Sequence, residues 1–165
     1  MEMNKVIDCL ESSIINPQKG LPEDIFLFVS RLTPMINVDL LIKNEQKHTL
    51  LIWRDNGYWT PGWHIPGGII RYKEKISDRI NAVAECELGA AIECKEHLLS
   101  VSEIIDLAQK NRGHFISLLY ECTLINQPND KLRFKGGMPK SGEWMWHDKC
   151  PNNLISVHGI YRKYI

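Results

Sequence analysis

The chain has 165 residues, about the length of a single domain. Its 20 basic side chains balance 20 acidic ones, so the formal net charge is zero, and apolar residues make up 44% of the sequence. This is the composition of an ordinary soluble globular protein. It excludes a disordered, collagen-like or disulfide-scaffold chain, and a neutral protein is not expected to coat nucleic acid.

No segment predicts a membrane span or a secretory signal. The longest comparable apolar run, residues 25–29, is much shorter than the ~20 residues that cross a bilayer. Asp8 and Glu11 interrupt the N-terminal stretch before a signal sequence develops. The five cysteines include no C-x-x-C pair, so we expect reduced thiols rather than a disulfide framework or a zinc site. The sequence therefore predicts a cytoplasmic protein that does not bind a membrane.

The predicted elements begin with two helices. Apolar residues from Val6 to Ile15 fall on one helical stripe, and Pro22 suits the first turn of a second helix that runs to about Arg31. We expect these helices to form an N-terminal extension, residues 1–32, that packs on a single domain spanning the whole chain, residues 1–165.

A predicted hairpin and a helix follow the N-terminal extension. Residues 35–43 and 48–54 have the pattern of two strands joined by a turn, and a loop follows from Asp55 to Gly62. Residues 76–88 predict a helix that ends at a glycine, Gly89.

Strands dominate the predicted second half. Residues 91–105 and 114–124 are expected to be strands, residues 127–142 a turn-rich loop, residues 143–147 a short strand and residues 155–165 a closing helix. Short strands with helices in the middle and at the ends predict an α+β fold, an α/β/α sandwich with a mixed sheet between helices.

The most informative stretch surrounds a pair of glycines, Gly67 and Gly68. They allow the backbone to approach a ligand closely, and loop amides before a helix suit an anion. Glu87 lies on a helix face where its carboxylate could hold a magnesium ion against a diphosphate. From the residues alone, a plain Gly-Gly turn before an ordinary amphipathic helix is an equal alternative.

This stretch resembles the signature of the Nudix hydrolases, G-x5-E-x7-R-E-U-x-E-E-x-G-U, where U is a bulky aliphatic residue. Four residues fall in register with it: Gly68, Glu74, Glu87 and Gly89. The resemblance implies the Nudix fold, with Gly68, Glu74 and Gly89 as structural residues of the motif. Three positions depart, since its arginine and two of its glutamates are Ala82, Val83 and Cys86. Two of the three metal-binding helix carboxylates of a typical member are therefore absent.

The same reduction of carboxylates is found in a Nudix subgroup, the GDP-mannose mannosyl hydrolases, which the chain resembles from Thr33 almost to its C-terminus. The similar segments are residues 33–39, 50–54, 57–59, 113–115 and 157–162. The resemblance implies one Mg2+ held by the Gly67 carbonyl and by Glu87, and substrate handling by Asp39 and Arg54. It also implies attack at the anomeric carbon with inversion, and a homodimer.

The chemistry of such a reaction agrees with the reduced motif. Metal-activated attack at phosphorus favours a site rich in carboxylates. Departure of a nucleoside diphosphate from an anomeric carbon needs chiefly one cation and a base for water, and one carboxylate helps to anchor one magnesium.

The subgroup's catalytic histidine, a metal-binding glutamine and a helping tyrosine correspond to Ser141, Lys140 and Phe115, so the base must lie elsewhere. Glu143 and His114 are the candidates we select, with Arg54 assisting; the alternatives are a solvated acid at a strand start and a partly buried structural histidine. Lys140 could contact phosphate, or it could be a solvated loop lysine.

Three further residues each have two possible roles. His64 directly precedes the glycine loop and could act as a base or hydrogen-bond to the backbone. Trp59 and Trp63 flank Pro61 and could stack on a base or sugar, or pack in the core.

Three functions are compatible with these residues. The first is a Mg2+-dependent hydrolase of a nucleoside diphosphate sugar that resembles GDP-mannose, cleaving the C–O bond. The second is a Nudix-fold module that binds a nucleotide metabolite without efficient catalysis. The third, a pyrophosphatase that cleaves P–O bonds with Glu85 or Glu143 as ligands, is weakened because Glu85 lies roughly 200° around the helix from Glu87.

Overall fold

The computed structural model describes residues 2–57 and 59–165. Met1, from the predicted N-terminal extension, and Tyr58, from a segment similar to the mannosyl hydrolases, lie outside the described residues. The helices in this part of the chain are α1 (Met3–Ser12), α2 (Glu23–Val29) and α3 (Ile76–Leu88), with short 3-10 helices at Pro17–Lys19, Asp130–Leu132 and Ser156–Tyr161. The strands are β1 (Met35–Ile42), β2 (Thr49–Arg54), β3 (Gly62–His64), β4 (Gly67–Ile69), β5 (Ile92–Cys94), β6 (Ser100–Ile105), β7 (His114–Leu124) and β8 (Trp144–His147).

The strands form two sheets. In the larger sheet β1 runs parallel to β7 and antiparallel to β4, while β5 and β6 both pair antiparallel with β7. In the smaller sheet β2 lies between β3 and β8, and all pairs are antiparallel. This mixture of parallel and antiparallel strands with helices confirms the predicted α+β class.

Strand β1 is buried on both faces, as its nearly continuous apolar sequence indicates. Leu40 and Ile42 pack in a cluster with α3 and the smaller sheet, whereas Leu41 packs in a second cluster that contains Tyr161 from the C-terminal segment. The larger sheet therefore lies between α3 and the C-terminal 3-10 helix, which brings residues from both faces close to the end of β4.

Helix α3 has the bounds that the sequence predicts. Its buried apolar residues, Ile80, Val83, Ala84 and Leu88, follow the spacing of one helical face. Gly89 ends the helix with a left-handed φ of 60°, and its N–H donates to the Glu85 carbonyl at 2.9 Å. The register of Glu87 relative to the core is fixed by this packing.

The predicted hairpin of β1 and β2 is wrong. The two strands belong to different sheets and share a single bridge between Lys43 and Thr49. Both edges of β1 are already occupied by β4 and β7, so β2 pairs with β3 and β8 instead.

Several predicted bounds also differ from the structure. The segment 91–105 is two strands, and Gly62–His64 and Gly67–Ile69 are short strands. At the ends of the chain, the first helix stops at Ser12, and the tail is a 3-10 helix over Ser156–Tyr161 rather than an α-helix to residue 165.

The expectation of five reduced cysteines is wrong for one pair. Cys94 on β5 lies directly opposite Cys122 on β7, and the two form a disulfide. Strand pairing brings these residues together across a sequence separation of 28, which no local spacing reveals. Cys9, Cys86 and Cys150 are free thiols.

The N-terminal segment contacts the rest of the chain mainly after α1, a helix in which no residue is buried. The Ser30 hydroxyl accepts a hydrogen bond from the Arg112 N–H at 3.1 Å, and the Arg112 guanidinium lies over the Phe26 ring. No helix in the described part of the chain is both long enough and apolar enough to cross a bilayer.

Candidate active site

Three charged or titratable side chains meet where β2, β3 and α3 approach one another. Arg54 Nη2 lies 3.6 Å from Glu87 Oε1, and His64 Nε2 lies 3.7 Å from Glu87 Oε2. His64 is almost fully buried, whereas Arg54 and Glu87 each keep about a quarter of the side chain exposed. The Glu87 carboxylate therefore lies between a guanidinium and an imidazole.

The orientation of the His64 ring is fixed by the backbone of β2. Its Nδ1 lies 2.7 Å from the Ile52 carbonyl oxygen, which can only accept, so Nδ1 carries the proton. Burial lowers the pKa of His64, although the neighbouring Glu87 opposes this effect. The neutral imidazole consequently presents the unprotonated Nε2 toward Glu87.

A buried carboxylate, Asp39, lies behind the glycine loop. Its Oδ2 accepts hydrogen bonds from the Ser117 hydroxyl and, at 2.5 Å, from the Tyr161 hydroxyl, and its Oδ1 accepts from Asn37 Nδ2 at 3.0 Å. Burial raises the pKa of Asp39 to about 6, against the lowering effect of these donors. Burial also raises the pKa of Tyr161, and the adjacent carboxylate adds to the effect. This network holds the carboxylate in one orientation.

The glycine pair is required by close packing on both faces of β4. Gly67 lies opposite Asp39 in the β1–β4 register, and a Cβ at this position would overlap Asp39 Oδ1. Gly68 lies opposite Val38, and a Cβ there would be 2.7 Å from the Val83 side chain on α3. The two glycines thus let the loop lie against both the buried carboxylate and the helix.

A cavity of about 220 Å³ opens beside this loop. Its polar lining residues are Asn37, Asp39, Arg54, Asn56, Gly67, Gly68, Arg112 and His158, and Trp59 is among the others. Two guanidinium groups and the backbone of a glycine loop in one cavity favour an anionic ligand. Arg54 belongs to this cavity and also contacts Glu87, so it connects the cavity to the helix carboxylate.

Glu74 ties the loop to the helix through an arginine that the sequence motif does not contain. Arg79 donates to Glu74 Oε2 at 2.9 Å and to Oε1 at 2.7 Å, and the Arg71 N–H donates to Oε2 at 2.8 Å. Partial burial of Glu74 acts to raise its pKa, but these hydrogen bonds outweigh that effect and lower it. Arg79 stands three residues before Ala82, the position of the arginine in the Nudix signature.

Three predicted site residues lie away from the cavity beside the glycine loop. Glu143 Oε2 accepts a hydrogen bond from the Lys140 N–H at 2.9 Å, which closes the turn before β8, and Lys140 itself is exposed. His114 Nε2 lies 3.2 Å from Glu103 across β6 and β7 at the protein surface. None of the three lines the cavity beside the glycine loop.

The other predicted residues are brought together. Asp39, Arg54, Gly67 and Gly68 line one cavity, and Arg54 contacts Glu87. Trp59 lines the same cavity, whereas Trp63 is a core residue whose ring contacts Trp53, Phe134 and His147 edge to face.

Sequence reasoning missed four residues of the site. Ser117 and Tyr161 hold Asp39, Arg112 lines the cavity, and the Ile65 N–H donates to His158 Nδ1 at 3.1 Å. Burial lowers the pKa of His158 well below its ordinary value, and the nearby His64 and Arg54 act in the same direction. His158 and Tyr161 lie in residues 157–162, a segment similar to the mannosyl hydrolases, and this similarity was the available signal. Ser117 and Arg112 lie outside all of the similar segments.

The donors near Glu87 fit a single open cation site rather than a closed metal cage. Within residues 2–57 and 59–165, no group of three His, Cys, Asp or Glu side chains is arranged to hold a metal. Glu87 Oε2, however, is buried without a hydrogen-bond partner, which suits an oxygen that ligates a cation. A divalent ion here would take its remaining ligands from backbone oxygens, water and a bound phosphate.

Comparisons with known proteins place this geometry in context. No protein-family model matches the chain. A curated relative, the low-salt glycan biosynthesis protein Agl8 of Haloferax volcanii, is 28% identical over 114 residues, which are 66% of this chain and 70% of the relative.

Solved structures of Nudix proteins share the fold. A MutT Nudix hydrolase from Burkholderia pseudomallei superposes with a TM-score of 0.63 at 22% identity, covering 81% of this chain and 98% of that protein. The MutT protein from Methanosarcina mazei superposes with a TM-score of 0.59 at 18% identity, covering 80% of this chain and 91% of that protein. A UDP-X diphosphatase superposes with a TM-score of 0.58 at 18% identity, covering 99% of this chain and 68% of that protein. The chain therefore has the Nudix fold.

Proposed function

We propose that this protein is a Nudix hydrolase that acts on a nucleoside diphosphate sugar and cleaves the C–O bond at the anomeric carbon. The proposal rests above all on Arg54, which lines the cavity beside the glycine loop and lies 3.6 Å from Glu87. A diphosphate bound by this arginine would reach the one helix carboxylate that remains from the metal-binding set.

The size and chemistry of the cavity support a small anionic substrate. Arg54 and Arg112 supply local positive charge in a chain whose formal net charge is zero. Trp59 offers a flat apolar surface for a base or sugar ring. The UDP-X diphosphatase among the structural neighbours is named for a nucleoside diphosphate derivative, which agrees with this substrate class.

One divalent cation, Mg2+ or a similar ion, is part of the proposal. Glu87 and the Gly67 carbonyl would hold it, and when bound it would neutralise the charge that develops on the departing diphosphate. The exposed Glu85 lies on the opposite side of α3 and does not join this set.

The residues that surround the cavity divide the remaining tasks. Arg54 and Arg112 would bind the phosphates, and Asp39, held by Ser117 and Tyr161, would bind the sugar hydroxyls. The water oxygen bonds to the anomeric carbon as the bond to the diphosphate oxygen breaks, and the nucleoside diphosphate keeps that oxygen. One water proton stays on the new sugar hydroxyl, and the other passes to solvent. Glu143 and His114 are not proposed as the base, because neither lines the cavity.

The test is turnover in water labelled with 18O. A panel of nucleoside diphosphate sugars is incubated with the protein and Mg2+ or Mn2+, and products are identified by mass spectrometry. We expect a free sugar that carries the label together with an unlabelled nucleoside diphosphate. Label in a phosphate product would instead establish P–O cleavage, and no turnover of any member would refute the hydrolase.

A binding or regulatory module is the second candidate, favoured by Ala82, Val83 and Cys86 in place of motif residues. Tight binding of a nucleotide sugar without turnover would support it. Loss of a measured activity in Glu87→Gln, with Glu85→Gln unaffected, would exclude it.

We also propose a homodimer that uses α1. The helix exposes Met3, Ile7 and Leu10, and none of its residues is buried within the chain. Light scattering should give twice the chain mass for the wild type and a monomer for Ile7→Glu; a monomeric wild type would refute the proposal.

A further inference from the structure

His64 and Glu87 face each other through two polar atoms that both lack a hydrogen-bond partner. His64 Nε2 and Glu87 Oε2 are 3.7 Å apart, and each is a buried atom without a hydrogen-bond partner. This separation is longer than a hydrogen bond. Because polar atoms buried in a protein normally have partners, two such atoms facing each other indicate a ligand between them.

The tautomer of His64 makes the two facing atoms both electron-pair donors. Nδ1 must donate its proton to the Ile52 carbonyl, since that oxygen can only accept. A neutral His64 ring then directs an Nε2 lone pair at a carboxylate oxygen. Two acceptors in this position repel each other unless a proton or a cation lies between them.

The surroundings of the pair supply no other partner for the two facing atoms. His64 is 2% exposed, and its Nδ1 is already bound to the Ile52 carbonyl. The Arg54 guanidinium lies 3.6 Å from the other Glu87 oxygen, Oε1. The same features leave a nitrogen and an oxygen free to ligate a metal.

We propose that His64 Nε2 and Glu87 Oε2 are adjacent ligands of one divalent cation, and that the imidazole makes this site prefer Mn2+, Co2+ or Zn2+ to Mg2+. The inference rests on the proposed function for the role of Glu87 and adds His64 to the site. Imidazole is a good ligand for the borderline ions, whereas Mg2+ prefers oxygen.

The separation of the two atoms suits this role. With metal–ligand distances of about 2.0–2.2 Å, adjacent nitrogen and oxygen ligands are roughly 3.0–3.4 Å apart. The observed distance between His64 Nε2 and Glu87 Oε2 is 3.7 Å, so a shift of a few tenths of an ångström would bring the two atoms within this range. Glu87 can make this shift because its side chain is partly exposed. His64 is also only three residues before Gly67, whose carbonyl is the expected backbone ligand.

The proposed site has two side-chain ligands, and no third His, Cys, Asp or Glu among the described residues joins them. Water and phosphate oxygens would complete the coordination, as in metal sites that bind substrate. Arg54 contacts the outer Glu87 oxygen, Oε1, and so leaves Oε2 to the metal.

Calorimetric titration of the metal-free full-length protein with MnCl2 and with MgCl2 tests the proposal. The variants are His64→Gln, Glu87→Gln and, as a matched control, the exposed His97→Gln. Loss of a direct ligand should cost at least as much as loss of an outer-shell partner, typically about 10–100-fold in affinity. We therefore expect His64→Gln to weaken Mn2+ binding at least tenfold with little effect on Mg2+, Glu87→Gln to weaken both, and His97→Gln to change neither.

The outcomes separate this inference from the proposed function. If Glu87→Gln weakens binding and His64→Gln does not, the histidine is not a ligand, and the hydrolase proposal stands. If neither variant changes metal affinity, the metal site of the proposed function is refuted as well.

A measurement on the wild type covers the case in which His64→Gln fails to fold. In a protein with 15N-labelled histidines, Zn2+ should shift the Nε2 resonance of His64, whose Nδ1–H is held by the Ile52 carbonyl. Zn2+ that leaves this resonance in place would overturn the inference.

Discussion

Arg79 grips Glu74 through two hydrogen bonds of 2.7 and 2.9 Å, although the Nudix signature places its arginine at position 82, where this chain has alanine. Arg79 is on the same helix one turn earlier, and it is nearly buried. The link between glycine loop and helix is thus made one turn earlier than the arginine position of the Nudix signature would place it.

Removing this link should destabilise the protein. Arg79→Met removes the cation that pairs with the half-buried Glu74 carboxylate. Because breaking a buried pair typically costs several kcal/mol, we expect the free energy of unfolding to fall by about 3 kcal/mol. Urea denaturation measures it. The exposed Lys75→Met is the matched control and should change stability by less than about 0.5 kcal/mol. Equal stability of both variants would contradict a structural role for Arg79.

Gly67 should be intolerant of a side chain for a steric reason. A Cβ there would overlap the Asp39 carboxylate and lie 2.9 Å from the Val38 carbonyl, whereas a Cβ at Gly159 would meet nothing within 4 Å. Gly67→Ala should lower the free energy of unfolding by about 1–3 kcal/mol through overpacking. It should also weaken binding of a nucleoside diphosphate, measured by calorimetry, because Asp39 must move.

The control for this prediction is Gly159→Ala, which should affect neither quantity. If Gly67→Ala retained both stability and affinity, the loop would not need to lie against Asp39.

The parts of the fold that depend on local patterns could be predicted from the sequence. Helix α3 has the expected bounds because its apolar spacing and the glycine after it are local signals. Other features depend on which strands pair, and contacts between distant segments decide this pairing. They are the disulfide, the separation of β1 from β2 and the division of residues 91–105 into two strands.

The same distinction explains the site. Glu87, Gly67 and Gly68 belong to one continuous motif, so the sequence could identify them together as candidates. Glu143 was predicted as a base from its place in a loop, but the chain turns so that its carboxylate accepts from the Lys140 N–H. Arg112 reaches the cavity from a position outside the segments that resemble the mannosyl hydrolases.

Arg54 should control affinity for the diphosphate. It lines the cavity and contacts Glu87, so Arg54→Gln removes charge-assisted hydrogen bonds to phosphate, which are worth about 1.5–3 kcal/mol. We expect kcat/KM to fall roughly 10–100-fold, mainly through KM. Arg54→Lys should retain only part of the wild-type kcat/KM, because an ammonium lacks the planar pair of donors that a guanidinium offers to phosphate.

Steady-state kinetics on the substrate identified from the panel measures this effect. Arg31→Gln, which removes an exposed guanidinium bound to Asn111, is the control and should match the wild type. A kcat/KM for Arg54→Gln within a factor of two of the wild type would exclude Arg54 from phosphate binding.

His147 should make the folded state sensitive to acid. Burial lowers its pKa from 6.5 to about 4, although Asp148 opposes the shift. The unfolded chain therefore binds a proton near pH 6.5 that the folded chain binds only near pH 4, so the free energy of unfolding decreases as pH falls through this interval. Discounted for partial burial, the contribution is about 2 kcal/mol.

His147→Phe tests this contribution, because phenylalanine keeps a ring beside Trp63, whose centroid lies 4.8 Å from that of His147. Urea denaturation at pH 7 and pH 4 should show that the variant loses about 2 kcal/mol less stability than the wild type over this range. The exposed His97→Phe should follow the wild type. Because His64 and His158 are also buried, some acid sensitivity must persist in His147→Phe. Identical pH dependence in His147→Phe and the wild type would show that His147 is not held neutral by the fold.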